Sequence, residues 1–213
     1  MQRIFCLVLG YLFGLFQTGY IYGKIKHIDL RKYGSGNSGT TNALRVLGWK
    51  AGLVVFIGDF MKTIIPCIIV RFLPGSRDDM VYLLILYTAF GVILGHNFPF
   101  YMGFKGGKGI AATAGLLVAF DWRITLICLV IFVVTVGITR YVSLGSILVV
   151  SAFLIGTIYW GKKGDFGLAP EYLYEFYGIA AVITAMAVWR HRANIGRLLH
   201  GTENKLGAKK KEA

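Results

Sequence analysis

Carboxylates are scarce in this chain: ten Asp and Glu stand against 23 Lys and Arg, a formal net charge of +13. Cysteine is scarcer still. Cys6, Cys67 and Cys128 are odd in number, lie within apolar runs and show no metal-ligand spacing, so neither a disulfide framework nor a zinc site is implied. No His/Asp/Glu cluster has metal spacing, and the expectation is a protein that needs no metal and no cofactor. A soluble basic domain is also missing, which disfavours nucleic acid as a partner. No internal repeat is visible, and the two halves share no matching pair of broken apolar segments. Many secondary transporters carry such repeats, so that class is weakened.

What the chain does have is apolar sequence, 56% of it, with a mean hydropathy of +0.63. The runs recur along the whole length, the signature of an all-α integral membrane protein forming one polytopic domain over 1–213. Candidate spans are 4–23, 52–73, 80–100, 106–120, 122–141, 142–160 and 172–189, followed by a basic tail over 190–213. Six of the seven approach the roughly 20 residues a helix needs to cross the hydrocarbon core. The fourth is short, since its apolar part begins only at Gly109. Either Gly106–Gly109 start a helix inside a protein-lined cavity, or the segment is a re-entrant loop.

The charges choose between these. With seven crossings, one side receives Lys24, Lys26, Arg31, Lys32, Arg45, Lys50, Lys105, Lys108, Arg140 and the tail cations Arg190, Arg192, Arg197, Lys205, Lys209, Lys210 and Lys211, 16 in all. The other side holds Arg3, Arg71, Arg77, Arg123, Lys162 and Lys163, only six. Positive residues collect in the cytoplasm, which predicts seven transmembrane helices, the N-terminus outside and the C-terminus cytoplasmic. If the fourth segment did not cross, the seven-cation tail would fall outside. The positive charge then faces anionic lipid head groups. The apolar run 4–16 behind Arg3 has the look of a signal-peptide core, but no small-residue cleavage site follows and 17–23 continue the helix, so it reads as a retained span. Trp122, Trp160 and Trp189 at span ends fit an aromatic belt.

Three polar clusters interrupt this background. The first is Gly34, Ser35, Gly36, Asn37, Ser38, Gly39, Thr40, Thr41 and Asn42, with Arg45 beyond. It formally satisfies G-x-G-x-x-G, but a loop between membrane helices supplies no strand or parallel sheet for a dinucleotide fold. Its local physics survives: glycine backbone that permits close approach, short side-chain donors, and Asn42 or Thr41 capping a helix through Ala43, Leu44 and Val46, with Arg45 able to reach back as a bidentate fork. The second is Lys105, Gly106, Gly107, Lys108 and Gly109. It is no Walker A loop, because Met102 replaces the first glycine and Ile110 the magnesium-binding hydroxyl. Glycine backbone between lysines at a helix start reads instead as an anion nest. The third is His191, Arg192, Ala193 and Asn194, with Arg197, where His191 and Asn194 share a face at helical spacing. A short interfacial helix over 194–199 would follow. Each cluster has a plain alternative: a capped flexible loop, a positive-inside loop and a juxtamembrane anchor. Asp59 and Lys62, at i, i+3 inside a span, read as a structural ion pair. His96, near the end of the third span, has no assigned task.

The His-x4-Asp dyad of acyl-CoA-dependent glycerolipid acyltransferases is missing, and so is the Asp-x2-Asp-Gly motif of the alcohol phosphatidyltransferases. Taken in order, spacing and topology, the three clusters resemble the motifs of the bacterial acyl-phosphate-dependent glycerol-3-phosphate 1-O-acyltransferases, the PlsY family. The first resembles that family's first motif, with Thr40 where Ala is usual. Gly103 to Gly109 with Ala111, Ala112 and Thr113 resemble the second, and His191 to Lys205, including Glu203, the third. The likeness covers essentially the whole chain, Asp59 to Lys62 and Gly95-His96 included.

The resemblance implies transfer of a fatty acyl group from acyl-phosphate to the sn-1 hydroxyl of glycerol 3-phosphate, giving lysophosphatidic acid and phosphate at a bacterial cell membrane. It also implies a soluble enzyme that supplies acyl-phosphate. Ser35, Lys108, His191 and Asn194 are expected at the chemistry. Asn37, Thr41, Asn42, Arg45, Lys105, Gly106, Gly107 and Arg197 are expected to hold substrate, with Asp59, Lys62 and Glu203 structural. Either His191 or a substrate phosphate oxygen serves as base. The rival class is a transporter or channel for a phosphorylated metabolite, which would also want cations at a cytoplasmic vestibule.

Overall fold

The computed structural model describes residues 1–73 and 79–207. Arg77 and the three lysines at 209–211, which enter the charge count above, lie outside the described residues. Among those described, all regular structure is helical: α1 Gln2–Gly14, α2 Thr18–Ile25, α3 Thr40–Leu47, α4 Trp49–Arg71, α5 Val81–Asn97, α6 Ile110–Phe120, α7 Trp122–Thr139, α8 Val142–Lys162, α9 Leu173–Arg190 and α10 Arg192–Leu199, with short 3-10 turns between some of them. Six segments are long and apolar enough to cross a membrane: Gln2–Ile25, Trp49–Arg71, Val81–Met102, Trp122–Thr139, Val142–Lys162 and Pro170–Arg190. The eleven residues of α6 reach only about 17 Å at 1.5 Å each.

The first span is not continuous, as the sequence had implied. The helix stops at Gly14 and restarts at Thr18. A break leaves carbonyls without amide partners, which is tolerable in a membrane only where other groups supply them. Here the Lys62 ammonium donates to the Phe16 carbonyl (2.7 Å), the Tyr101 hydroxyl to the Leu15 carbonyl (2.6 Å) and the Gln17 amide to the Gly14 carbonyl (3.1 Å). The same Gln17 amide nitrogen reaches the carbonyls of Gly95 (3.2 Å) and His96 (3.1 Å), and so ties the break to the end of α5.

Helices α1 and α5 run parallel and approach backbone to backbone. Gly10 and Gly14 on one face Gly91 and Gly95 on the other, a reciprocal pair of small-xxx-small motifs. A Cβ on Gly10 would overlap the Thr88 carbonyl, and one on Gly91 the Leu7 carbonyl. The obstacles are backbone, so nothing can swing aside. Gly91→Leu is expected to cost on the order of 4 kcal/mol or more, at the extreme of single substitutions. Thermal unfolding in detergent would show it as a collapsed melting temperature or as no folded protein.

The stretch before α6 lies against the end of α5: the Gly106 amide donates to the Asn97 carbonyl and the Gly107 amide to that of His96, each at 3.1 Å. At the far end of α6 the Arg71 guanidinium, closing α4, donates to the Ala119 carbonyl at 2.7 Å. An aromatic cluster of Tyr82, Phe120, Phe153, Phe166 and Phe176 fills the core near that end. The opposite end is polar, and it holds all three clusters.

Candidate active site

One cavity of about 650 Å³ brings the clusters together. Ser35, Asn37, Thr41, Asn42 and Arg45 line it from the first, Lys108 and Gly109 from the second, and His191, Asn194 and Arg197 from the third, with Glu203 beside them. Its other half is apolar: Phe56 and Phe60 of α4, Ala114, Leu117 and Val118 of α6, Leu129, Phe132 and Val136 of α7, and Val149 of α8. Cys128 sits in this wall with its thiol turned to the Val149 carbonyl (3.5 Å), a packing role.

The first loop is held by its own asparagines. The Asn42 side chain is 2% exposed, donates to the carbonyls of Leu30, Tyr33 and Asn37 and accepts from the Ser35 amide, all within 2.9 Å. With its Nδ2 protons consumed inside the loop, Asn42 is a clasp with no donor left for a phosphate, a different part from the substrate ligand expected above. Asn37 Oδ1 is likewise spent on the Gly39 amide (2.8 Å). The helix cap also moves. Gly39 caps α3, its carbonyl receiving the Asn42 and Ala43 amides, so Thr40 and Thr41 open the helix. Their amides are among those a helix leaves without internal acceptors, and both residues border the cavity. The Thr40 hydroxyl is buried there with no partner among the described residues. Arg45, one turn on, also borders the cavity.

The second cluster differs more. The Gly106 and Gly107 amides, expected as nest donors, are already paired to α5, and their carbonyls accept from Arg190 at 2.9 and 2.6 Å. These glycines serve close packing: a Cβ on Gly106 would strike the His96 carbonyl and one on Gly107 the His96 ring. Neither they nor the exposed Lys105 lines the cavity. The helix-terminal amides that remain for an anion belong to Ile110 and Ala111, at the start of α6 and on the cavity wall.

The third cluster is a clamp. Glu203 accepts from Asn194 Nδ2 (2.8 Å), Arg197 Nε (2.7 Å) and the Ser143 hydroxyl (3.1 Å). Asn194, so oriented, turns its Oδ1 to the Lys108 ammonium. Arg140 holds the tail in place from the end of α7: its carbonyl accepts from the Leu206 amide (2.7 Å), and its guanidinium donates to the Leu206 carbonyl. Burial is the main force lowering Lys108, to about 8; Glu203 opposes it, and Arg197, Arg190 and Arg45 reinforce it. Burial likewise pulls His191 down to about 4, against the Ala187 carbonyl, with Lys108 adding to the fall. That carbonyl lies 2.8 Å from His191 Nδ1 and can only accept, so Nδ1 carries the proton and Nε2 keeps a lone pair.

Sequence reasoning missed Gln17, Arg190, Ser143 and the individual residues that form the apolar half of the cavity. Arg190 reads as one more positive-inside cation, and the wall residues read as ordinary membrane sequence.

Residues 4–201 match the model of a family described as glycerol-3-phosphate acyltransferase. Among curated relatives, the glycerol-3-phosphate acyltransferase of Clostridioides difficile (strain 630) is 40% identical, with 97% of each chain covered. That of Thermoanaerobacter sp. (strain X514) is 37% identical over 98% of each. Among solved structures, the crystal structure of PlsY (YgiH), an integral membrane glycerol 3-phosphate acyltransferase, in its glycerol 3-phosphate form superposes with a TM-score of 0.82 at 34% identity, over 97% of this chain and 96% of that one. Its lysophosphatidic acid form gives 0.79 at 35%. The chain belongs to the glycerol-3-phosphate acyltransferase family.

Proposed function

We propose that this protein transfers a fatty acyl group from acyl-phosphate to the sn-1 hydroxyl of glycerol 3-phosphate at the inner face of a bacterial cytoplasmic membrane. The observation that carries the reading is the two-natured cavity: a cationic mouth continuous with an apolar slot between α4, α6, α7 and α8. A polar phosphate ester and an amphiphilic acyl-phosphate together need that combination. Seven crossings, with α6 as the short one, put the mouth and the three clusters in the cytoplasm, where the soluble substrate is. They make the chain a single polytopic domain, with an enzyme that makes acyl-phosphate as its supplier.

Arg45, Lys108 and Arg197, with the first amides of α3 and α6, hold the two phosphates. Ser35, its amide fixed by Asn42, offers its hydroxyl to a substrate oxygen. Asn194 positions Lys108. The glycerol oxygen attacks the acyl carbonyl carbon, the carbon–oxygen bond to phosphate breaks, and inorganic phosphate leaves. Acyl-phosphate is already activated, so no covalent enzyme intermediate is required. The hydroxyl proton has two destinations. His191 Nε2 is free to accept it, but a group at about 4 is a weak base. A phosphate monoester oxygen, with a pKa of about 6 in water, is the other acceptor, and the cations that hold it lower its basicity too. Single-turnover rates of His191→Gln separate the two: a loss of about 10²–10⁴-fold marks His191 as the base, and a small loss marks the phosphate oxygen.

Donor choice tests the reading. Purified protein in detergent should form lysophosphatidic acid from glycerol 3-phosphate and acyl-phosphate and none from acyl-CoA. Turnover with acyl-CoA, or no product with phosphate-ester flux in proteoliposomes, would overturn it. The slot makes a second demand. Ala114→Phe fills its wall and should lower activity with palmitoyl-phosphate by about tenfold or more while sparing short-chain donors, on the scale of 1–3 kcal/mol for steric discrimination in an apolar pocket. A chain-length series of kcat/KM values would show it.

A further inference from the structure

His96 ends α5 beside the cavity, buried, and three neighbours determine its protonation. Lys62 Nζ lies 2.9 Å from Asp59 Oδ1, 2.7 Å from the Phe16 carbonyl and 2.8 Å from His96 Nδ1. An ammonium has three protons and no lone pair, and the three nearest acceptors take them, with the Gly14 carbonyl farther off at 3.5 Å. Nδ1 of His96 is therefore an acceptor, and the imidazole is the neutral tautomer with its proton on Nε2. Asp59, which also accepts from the Thr18 hydroxyl (3.1 Å), balances the charge of Lys62. The Nε2 edge of the ring rests against Gly107, where any side chain would overlap it. His96 lines the same cavity as Lys108 and His191, and its Nε2 has no acceptor among the described residues. That nitrogen is not among the buried unpaired atoms, so it is open to the cavity; a ligand that covers it must accept its proton, since an N–H left unmatched in a buried site costs about 1–3 kcal/mol.

We propose that His96 Nε2–H donates a hydrogen bond to the head group of the acyl donor, with Lys62 and Asp59 as positioning residues that hold the tautomer. The inference rests on the acyltransferase reading above. Position selects the donor over glycerol 3-phosphate. Asp59 and His96 border the cavity where the cationic mouth meets the apolar wall of Phe56 and Phe60. Glycerol 3-phosphate is polar throughout, whereas the acyl donor alone has a polar head joined to a chain, and its head belongs at that seam. A neutral donor there adds a directed bond without adding charge to a mouth that already holds Arg45, Lys108 and Arg197. The two cavity histidines then have opposite tautomers, His96 donating through Nε2 and His191 accepting through its own.

Two amide substitutions separate this role from a structural one. Gln sets an amide N–H near the imidazole Nε2 position, and Asn sets an acceptor near the Nδ1 position. His96→Gln is expected to keep kcat/KM for acyl-phosphate within about tenfold, and His96→Asn to lose about 10²-fold or more, the scale of a lost site donor. KM for glycerol 3-phosphate should stay within about threefold in both. The reverse order, the mark of a residue that only satisfies Lys62, overturns the proposal, and so does a change confined to the KM for glycerol 3-phosphate. A measurement on the wild-type protein does not depend on whether the variants fold. With four histidines in the chain, ¹⁵N-histidine labelling should show one ring protonated at Nε2 whose signal moves when a non-hydrolysable acyl-phosphonate binds. An Nδ1-protonated His96, or an Nε2 signal unmoved at saturation, overturns it. Wild-type turnover of acyl-phosphate in the same preparation keeps the two levels apart: its absence sinks the acyltransferase reading, while turnover with the wrong substitution order sinks this inference alone.

Discussion

Lys108→Met is expected to lower kcat/KM by about 10²–10³-fold while the protein stays folded, because in the proposed mechanism it removes a preorganised cation from the mouth that holds the phosphates and the developing oxyanion. The structural cost is limited to Asn194 Oδ1, which loses its partner, about 1–3 kcal/mol against the relief of burying one charge fewer. Steady-state kinetics and a melting curve on the same preparation separate the two effects. The pH profile carries the same information. Burial pulls Lys108 down to about 8, and above that value the free enzyme holds a neutral amine. The sign follows: kcat/KM should fall as pH rises through about 8. A bound phosphate stabilises the ammonium, so the limb in kcat should lie at higher pH, since kcat reports the complex. Lys108→Arg, which stays charged throughout, should lose the limb even though its geometry differs.

Glu203→Ala is expected to disable the site from outside it. One carboxylate holds Asn194, Arg197 and Ser143, and through Asn194 it aims the Lys108 contact. Its removal should cost about 3 kcal/mol, the lower end for a broken buried pair because a third of the Arg197 side chain stays exposed. Activity should fall at least as far as in Lys108→Met, since three groups lose their orientation together. Glu203→Gln keeps most of the hydrogen bonds and removes only the charge, so it should be milder in stability. It also makes a directional demand: Glu203 holds the Lys108 ammonium up, so in Glu203→Gln the alkaline limb should move to lower pH. A limb that stays in place would refute the electrostatic link between the third cluster and the second.

The large-scale arrangement was readable because it follows from rules that act on whole segments. Apolar run length marked the six long helices, and the three distant clusters that cation asymmetry had grouped together meet in one cavity. The short segment before Phe120 was also readable, since eleven helical residues have one length wherever they sit. The use made of each donor was not. Asn42 looks like any phosphate ligand until its own loop consumes its Nδ2 protons. Gly106 and Gly107 look like a nest until their amides are seen spent on α5, so the free amides shift to Ile110 and Ala111. A local pattern says that donors exist, and only the fold says which are left over. The break at residues 15–17 escaped for a related reason. Nothing in that apolar stretch forbids a continuous helix, and the groups that stabilise the gap, Lys62 and Tyr101, come from far along the chain.

The central claim is direct transfer between two substrates held in one cavity, and rapid-quench kinetics with ³²P-labelled acyl-phosphate tests it most directly. The account predicts no burst of phosphate when the enzyme meets acyl-phosphate alone. Addition of glycerol 3-phosphate should release phosphate and form 1-acyl-glycerol 3-phosphate one for one, with intersecting double-reciprocal plots for the two substrates. A stoichiometric phosphate burst without glycerol 3-phosphate, together with parallel plots, would reveal an acylated enzyme and contradict it.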